Sequence, residues 1–489
     1  MKRVAIIGSG LGGLVAGNLL AKKGHKVTIF ESHSAPGGYT AGFWRQGYYF
    51  ESGTFSLEYS DMVFSLMKKI GVFDKVEFVR QKSRLVSADF DGSPENYADL
   101  KKMFYDAYPA EKARLDKYFA EVDKMVGALE PFLLKSSIWA KLAGGVKMAG
   151  LYKKYQHMTM SRFIGQYFEK DSNLYRFWSR IVYPDTAALM VGGAIISFIN
   201  DYWTVKGGMQ SWADALTDNF RALGGELKLN TYIDKIITEK GKATGVAHGQ
   251  EVWPVDEVIA ACDYKETFLK LLDDQCLLPL AATDKIRKAA VSEGFMVVYL
   301  GLKMNNDELR KIMKLPHVTL FDEQPDCDIY NNCDEHFFEK NSIGLYSLSL
   351  LNPKLAPNGK SSLMLAAMAS ASWMDNWGGG DKQKYKELKE RAKNDMIAKA
   401  ENLIPGLRNL IEYEDAATPL TYERFTHNTG GATSAWSWNP EKRFYDNMMG
   451  NHVDTPVKNL YIGSCWAAEM GGVPGAIAAA LKTVKRVGG

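Results

Sequence analysis

Val4-Ala5-Ile6-Ile7-Gly8-Ser9-Gly10-Leu11-Gly12-Gly13 begins the unit that decides the fold, and Glu31 ends it. Val4 to Ile7 are β-branched or small and read as a buried strand. Gly8, Gly10 and Gly13 supply a G-x-G-x-x-G turn. Leu14 to Lys23 continue with helical periodicity, and Gly24 stops that helix. Val27 to Phe30 form a second strand, and Glu31 stands eighteen residues after Gly13. Such glycines let backbone N–H groups approach a pyrophosphate at a helix N-terminus, and the acid accepts hydrogen bonds from ribose hydroxyls. The unit predicts an α/β dinucleotide-binding fold held by Gly8, Gly10, Leu11, Gly12, Gly13, Glu31 and Ser32.

A second glycine pair follows at once in Pro36-Gly37-Gly38-Tyr39-Thr40. It lets the chain pass tightly beside an extended dinucleotide, which favours FAD over a plain nicotinamide cofactor. At the other end, Asn459 to Ser464 reads as a short strand and a turn at Gly463. Glu469-Met470-Gly471-Gly472-Val473-Pro474-Gly475-Ala476 then opens a last helix, expected over Ala476 to Val487. Proline is pre-organised near a helix start. The positive end of that helix can stabilise negative charge on a reduced flavin. Gly463, Ser464, Gly472 and Val473 therefore join the expected site.

The chain has 489 residues, enough for two or three domains. With 60 basic and 57 acidic residues, no strong field draws in nucleic acid. The 24 Tyr and 23 Phe suit the lining of apolar cavities. Cys262, Cys276, Cys327, Cys333 and Cys465 form no C-x-x-C pair, and their scatter fits a reducing, cytoplasmic setting. The eight histidines show no metal-ligand spacing. The first apolar run is consumed by the opening strand, so no signal peptide is expected. No stretch reaches the roughly 20 apolar residues that span a bilayer. No feature of the sequence sets an oligomeric state.

The dinucleotide domain reads as three separated pieces, 1–80, 196–265 and 415–489. In the middle piece, Lys206-Gly207-Gly208-Met209 leads into a helix that Gly224-Gly225 ends. Leu227 to Ile233 reads as a strand, with Ile233 placed near adenine. A hairpin follows at Gly241, and Val258 to Asp263, containing Ala261, returns as a strand. The segment 81–195 reads as a helical cap. Within it Leu115, Tyr118, Phe119, Val122, Met125, Val126 and Leu129 recur at core-facing helical spacing. The segment 266–414 reads as a mixed-sheet substrate domain with strands at Phe295–Leu302, Ile343–Leu351 and Ser361–Ala369, and a charged helix over Lys382–Leu403.

Residues 131–168 contain no Asp or Glu but carry Lys135, Lys141, Lys147, Lys153, Lys154 and Arg162. Leu134, Ile138, Leu142 and Val146 recur every fourth residue, with Trp139 close by. A basic, Trp-bearing amphipathic segment can lie in a membrane interface, so peripheral membrane contact is expected here. A helical lid with a solvated lysine face is the alternative.

Several of these stretches resemble the phytoene desaturase, carotenoid isomerase and retinol saturase group. The resemblance rests on the paired ends, Lys206 to Met209, Val258 to Asp263, Val298-Tyr299-Leu300-Gly301-Leu302, and Gly463 with Gly471 to Ala476. Ala417-Thr418-Pro419, Arg424 to Asn428 and Gly430-Gly431-Ala432 look closer to the isomerase and saturase branch. The resemblance implies a glutathione-reductase-type FAD domain with an inserted substrate domain, a non-covalent FAD and a long apolar tunnel. It also implies peripheral membrane attachment and polyene or isoprenoid substrates. By position, Gly37, Gly38, Tyr39 and Thr40 would pass near the pyrophosphate and flavin. Ser464 stands where the group carries an acid.

Such a site favours hydride exchange at a substrate carbon: desaturation, saturation or cis–trans isomerisation of a lipid-like substrate. NAD(P)H or another electron carrier is the further redox partner. A proton donor or acceptor must sit near the reacting carbon, and Glu469 is the candidate, with Tyr39, Arg45 and Tyr49 behind it. Two other readings stay open: an amine-oxidase-type flavoenzyme, and a lipid or prenyl carrier without chemistry.

Overall fold

The computed structural model describes residues 1–488 except 135–137, 184, 322–332, 448–449 and 470, and leaves the side chains of 132–134 and 138–143 undescribed. Arg3–Ile7 lies at the centre of a five-stranded sheet, with order Leu460–Ile462, Glu257–Ala260, Arg3–Ile7, Lys26–Phe30, Glu226–Lys228. All its pairings are parallel, with Ile6 opposite Ile259 on one side and Ile29 on the other. A parallel sheet needs both faces covered. One face packs on the helices Leu11–Lys22, Met209–Ala222 and Gly472–Gly488, through Leu14, Trp212 and Ile477. The other face, with Ala5, Ile7 and Val258, packs against the three-stranded sheet formed by Lys235–Glu239, Lys242–His248 and Glu251–Pro254.

A seven-stranded sheet stands beside this core, with order Ile411–Ala417, Gly294–Leu302, Ser361–Ala369, Ile343–Tyr346, His317–Phe321, Ser83–Ser87, Asp91–Gly92. Its pairings are antiparallel except between His317–Phe321 and Ser83–Ser87. Along Gly294–Leu302 the side chains alternate between faces, as strand geometry requires. Met296, Val298 and Leu300 pack under the helix Lys382–Glu401, while Val297 and Tyr299 face the hairpin Gly42–Arg45/Tyr48–Glu51. Ser83–Ser87 and Asp91–Gly92, within 81–195, are thus strands of the large sheet, and the strand Ile411–Ala417 runs across the 414/415 boundary.

Most of 97–200 is helical. In Lys112–Leu134 the row Leu115, Tyr118, Phe119, Val122, Met125, Val126 and Leu129 is buried. Ile138–Tyr155 packs back on it, with Met148 and Tyr155 buried and Val146 77% exposed. Of the four-spaced row at 134, 138, 142 and 146, the first three side chains lie outside the described residues, as do those of Lys135, Trp139 and Lys141. Among the described residues no helix is long and apolar enough to cross a membrane.

Three elements differ from expectation. The strand expected over Leu227–Ile233 is confined to Glu226–Lys228, because Asn230 takes a left-handed backbone (φ 52°) and breaks the run. The strand expected to reach Leu351 ends at Tyr346, where Ser347 donates to the Pro316 carbonyl and a 3₁₀ turn, Leu348–Leu350, follows. The last helix starts at Gly472, earlier than the expected Ala476. Pro474 costs nothing there, since first-turn N–H groups have no intrahelical acceptor.

Candidate functional site

A cavity of about 730 Å³ opens where the five parallel strands end, within the roughly 300–1,000 Å³ usual for cofactor and small-molecule sites. Ile7 and Gly8 end the first strand, Phe30 and Glu31 the second, and Ala261 with Cys262 and Ser464 follow two others. Thr231 to Ile233 close the edge, and all of these line the cavity. This is the crevice at strand carboxyl ends where open α/β sheets take ligands.

The glycines divide into two kinds. Gly10 lines the cavity, and a Cβ there would meet no protein atom within 4 Å. It begins the helix Leu11–Lys22 with no capping side chain, so the positive helix end faces the opening bare. Gly12 also lines the cavity, but a Cβ there would sit 2.2 Å from the Gly463 carbonyl oxygen. A Cβ on Gly13 would sit 2.1 Å from the Gly8 carbonyl oxygen. Gly13 and Gly463 are not among the cavity-lining residues. They are small because helix and strands approach closely there, which corrects the expectation that they touch the ligand.

Glu31 is held from four sides. One carboxylate oxygen accepts from the Ser9 amide (2.9 Å) and hydroxyl (2.7 Å), the other from the His33 amide (2.9 Å) and the Ser32 hydroxyl (3.2 Å). The two hydroxyls can turn away in favour of a ligand's own; the two amides fix the carboxylate. Gly37 and Gly38 take φ of 127° and 56°, and the Gly37 amide donates to Ser9 (3.0 Å), so the second glycine turn lies on the first. Thr40 spends its hydroxyl on the Gly37 carbonyl (2.7 Å), while Tyr39 donates to the Gly431 carbonyl (3.2 Å). An extended dinucleotide fits this lining: glycine backbone where it must come close, an anchored acid, and a bare helix start.

Beyond Tyr39 the cavity is bounded by rings. Phe43 meets Tyr299 edge-on at 5.1 Å, and Tyr39 lies 5.7 Å from Tyr422. Ser464, Gly472 (φ 72°), Val473 and Ala476 bring the start of the last helix to the same wall. The Ser464 hydroxyl donates to the Cys262 carbonyl (2.8 Å). Burial pushes the Cys262 and Cys465 thiols up to about 12, so neither is a thiolate at neutral pH. Among the described residues no cluster of His, Cys, Asp or Glu could hold a metal ion.

Glu469 does not face the cavity. Its two carboxylate oxygens accept from the Phe444 amide (3.0 Å) and the Tyr445 amide (2.8 Å), and the residue is 1% exposed. Proximity to the glycine pair suggested a catalytic role; the two amides of the 444–445 loop turn its carboxylate elsewhere. Tyr49 is buried and donates to Glu51 (2.9 Å), away from the lining. Arg45 does line the mouth, with its guanidinium over the Phe43 ring at 5.2 Å.

Lining residues without an expected role include Thr54, Tyr299, Asp415, Tyr422, Thr433 and Trp466. Tyr299 and Asp415 meet only because Gly294–Leu302 pairs with Ile411–Ala417. No local motif announces that pairing.

The flavin containing amine oxidoreductase model matches residues 11–488. The chain is 28% identical over 506 residues to a 4,4'-diapophytoene desaturase (4,4'-diapolycopene-forming) of Methylomonas sp, covering 96% of this chain and 95% of the relative. It is 26% identical over 463 residues to the chloroplastic prolycopene isomerase of Daucus carota, covering 87% and 70%. A triple mutant of putrescine oxidase superposes with a TM-score of 0.66 at 16% identity, over 99% of this chain and 98% of that one, a likeness of fold.

Proposed function

This chain belongs to the flavin containing amine oxidoreductase family, and from that premise we propose that it is an FAD-dependent enzyme acting on carbon–carbon single or double bonds of a polyene, isoprenoid or other lipid-like substrate. Membership makes it a flavin-dependent oxidoreductase. The observation that carries the finer reading is the cavity itself, which crosses every strand end of the parallel sheet and finishes among Tyr39, Phe43, Tyr299 and Tyr422. Named relatives that act on diapophytoene and prolycopene support the same substrate class.

When bound, FAD supplies hydride exchange at its flavin ring. In this reading the bare start of Leu11–Lys22 takes the pyrophosphate, Glu31 the ribose, and Ile233 packs beside adenine. Gly37 to Thr40 run along the pyrophosphate toward the ring. The start of the last helix, at Gly472 and Val473, stabilises negative charge there. The four rings exclude water and offer flat apolar contact to a conjugated chain. In this reading FAD is held non-covalently. NAD(P)H or another electron carrier is its redox partner in this reading.

The test is anaerobic photoreduction of the FAD-loaded protein followed by mixing with all-trans-retinol, a cis-carotene and putrescine. Flavin reoxidation with a product two hydrogens heavier, or a product of unchanged mass and altered geometry, supports the reading. So does a dehydrogenated product from oxidised flavin. Peroxide release with the amine, and no response to any polyene, overturns it in favour of an amine oxidase. A colourless protein that cannot be loaded with FAD favours a carrier.

The site of action in this reading is the cytoplasmic face of a membrane, reached through 131–168. Val146, Lys147 and Lys153 are exposed on one helical hairpin, whereas Lys154 is tied to Glu121 (3.2 Å). A basic residue near an anionic surface contributes about 1 kcal/mol. The double substitution Lys147→Ala, Lys153→Ala is therefore expected to weaken binding to phosphatidylserine-containing vesicles about 30-fold. Co-sedimentation measures it, and unchanged partitioning removes this segment from the account.

A further inference from the structure

With Glu469 turned away, Tyr39 donating to the Gly431 carbonyl and Arg45 at the cavity mouth, no carboxyl expected from the sequence is left to supply the proton that must accompany hydride transfer. The segment after the cavity's Thr54 supplies another acid. Glu58 lies deep in the protein yet keeps part of its surface open. One carboxylate oxygen accepts from the Ser56 hydroxyl (2.8 Å); the other has no hydrogen-bond partner among the described residues.

The surroundings are rings. Tyr59, Tyr183, Tyr202 and Tyr346 each lie within electrostatic reach of Glu58. Phe55 stacks on Tyr346 at 4.5 Å. Phe55, Tyr59, Tyr183 and Tyr346, like Glu58, keep open surface, although the tyrosines lie as deep in the protein. Open surface at that depth implies an internal, ring-lined void between them.

That void is one side chain from the cofactor cavity. The Tyr183 hydroxyl lies 2.8 Å from the Thr433 hydroxyl, and Thr433 lines the cavity. Tyr183 is also within electrostatic reach of Cys465 on the same wall. The backbone beside Glu58 is strained, since Tyr59 takes φ 59°, ψ 48° before the helix Ser60–Ile70. A bulky residue with positive φ is uncommon, and such strain gathers at functional sites.

We propose that a substrate chain extends from the flavin into this void and that Glu58 is its proton donor in the reducing direction and its proton acceptor in the oxidising one. The inference rests on the function proposed above. In reduction, a carbon–carbon double bond gains hydride at one carbon from the reduced flavin. The Glu58 O–H bond breaks as its proton forms the C–H bond at the neighbouring carbon, leaving a carboxylate that solvent reprotonates. Oxidation reverses each transfer.

Burial raises the Glu58 carboxyl to about 7, with the Ser56 hydrogen bond opposing and the Asp201 charge adding to the rise. Asp201 is itself held by the Ser60 amide and hydroxyl and by the Trp203 indole N–H. His317, stacked on Tyr346 at 4.3 Å, is kept neutral by burial, which lowers it to about 3. The other facing groups are the four tyrosines, all pushed upward. A carboxyl titrating near neutrality suits general acid–base work.

The experiment uses FAD-loaded enzyme, photoreduced and mixed anaerobically in D2O with all-trans-retinol and a cis-carotene. Wild type is expected to incorporate one solvent deuterium, with a rate that falls as pH rises through about 7. Glu58→Gln should slow the transfer about 100-fold or more and abolish the pH limb, with flavin spectrum and melting temperature unchanged. Glu58→Asp should restore part of the rate and the limb. Infrared difference spectra across the same pH range, needing no substrate, should lose a carboxylic-acid band in Glu58→Gln. A wild-type-like rate and limb in Glu58→Gln, or an unaltered band, overturns this inference alone. Failure of wild type with every polyene, with the flavin reduced and with it oxidised, overturns the function beneath it as well.

Discussion

Gly10→Val is expected to yield a protein that folds and carries no flavin. The wild-type backbone at Gly10 (φ −64°, ψ 175°) is ordinary extended chain that any residue adopts. A Cβ there meets nothing of the protein within 4 Å, so the added side chain enters the cavity alone. Its isopropyl group occupies space the dinucleotide needs beside the helix start. The companion variants behave differently. Gly12→Val and Gly13→Val would press a Cβ to 2.2 Å from Gly463 and 2.1 Å from Gly8, backbone in both cases. Overpacking a closed interior costs about 1–3 kcal/mol or more, and here neither neighbour has a side chain to move. Apo Gly10→Val should therefore melt with apo wild type, while the other two melt lower. Flavin-to-protein absorbance ratios and melting curves check this. A stoichiometrically yellow Gly10→Val would mean that the dinucleotide does not approach the chain at this turn.

That contrast also shows what sequence can and cannot say about such a site. The opening strand, turn, helix and acid all lie within the first 31 residues, so their pattern is local and legible. The pattern does not reveal which glycines face the ligand and which let backbones meet. Gly13 and Gly463 serve close packing, and that depends on the sheet order that brings Leu460–Ile462 beside Glu257–Ala260. The wall of rings was less legible still. Tyr299 reaches the cavity from one strand of the seven-stranded sheet and Asp415 from its neighbour, an alignment set by long-range antiparallel register. The same holds at Ser83–Ser87, whose parallel partner His317–Phe321 is far along the chain. A one-residue slip of Gly294–Leu302 against Ile411–Ala417 would turn the opposite face toward the cavity, and nothing in the local composition fixes that choice.

Glu469→Ala is expected to destabilise the protein strongly, whereas Glu469→Gln should change turnover little. The carboxylate is buried, and it accepts from two consecutive amides, Phe444 and Tyr445. Around those amides Trp436 stacks on Phe444 at 3.9 Å, and the Tyr445 hydroxyl donates to the Trp466 carbonyl. Trp466 lines the cofactor cavity, so the loop that Glu469 holds supports the cavity wall from behind. Leaving a buried donor unsatisfied costs about 1–3 kcal/mol. Alanine orphans two of them, for a loss of roughly 2–6 kcal/mol. Glutamine keeps one acceptor oxygen and the shape of the side chain, so it should retain much of the stability and the flavin. A residue that moved the substrate's proton would give the opposite pattern: Glu469→Gln would melt normally and fail to turn over. Denaturant melts of both variants, read beside the flavin reoxidation rate of Glu469→Gln, separate the two roles. If Glu469→Gln is stable and inactive, the proton route runs through Glu469 and the assignment of Glu58 falls with it.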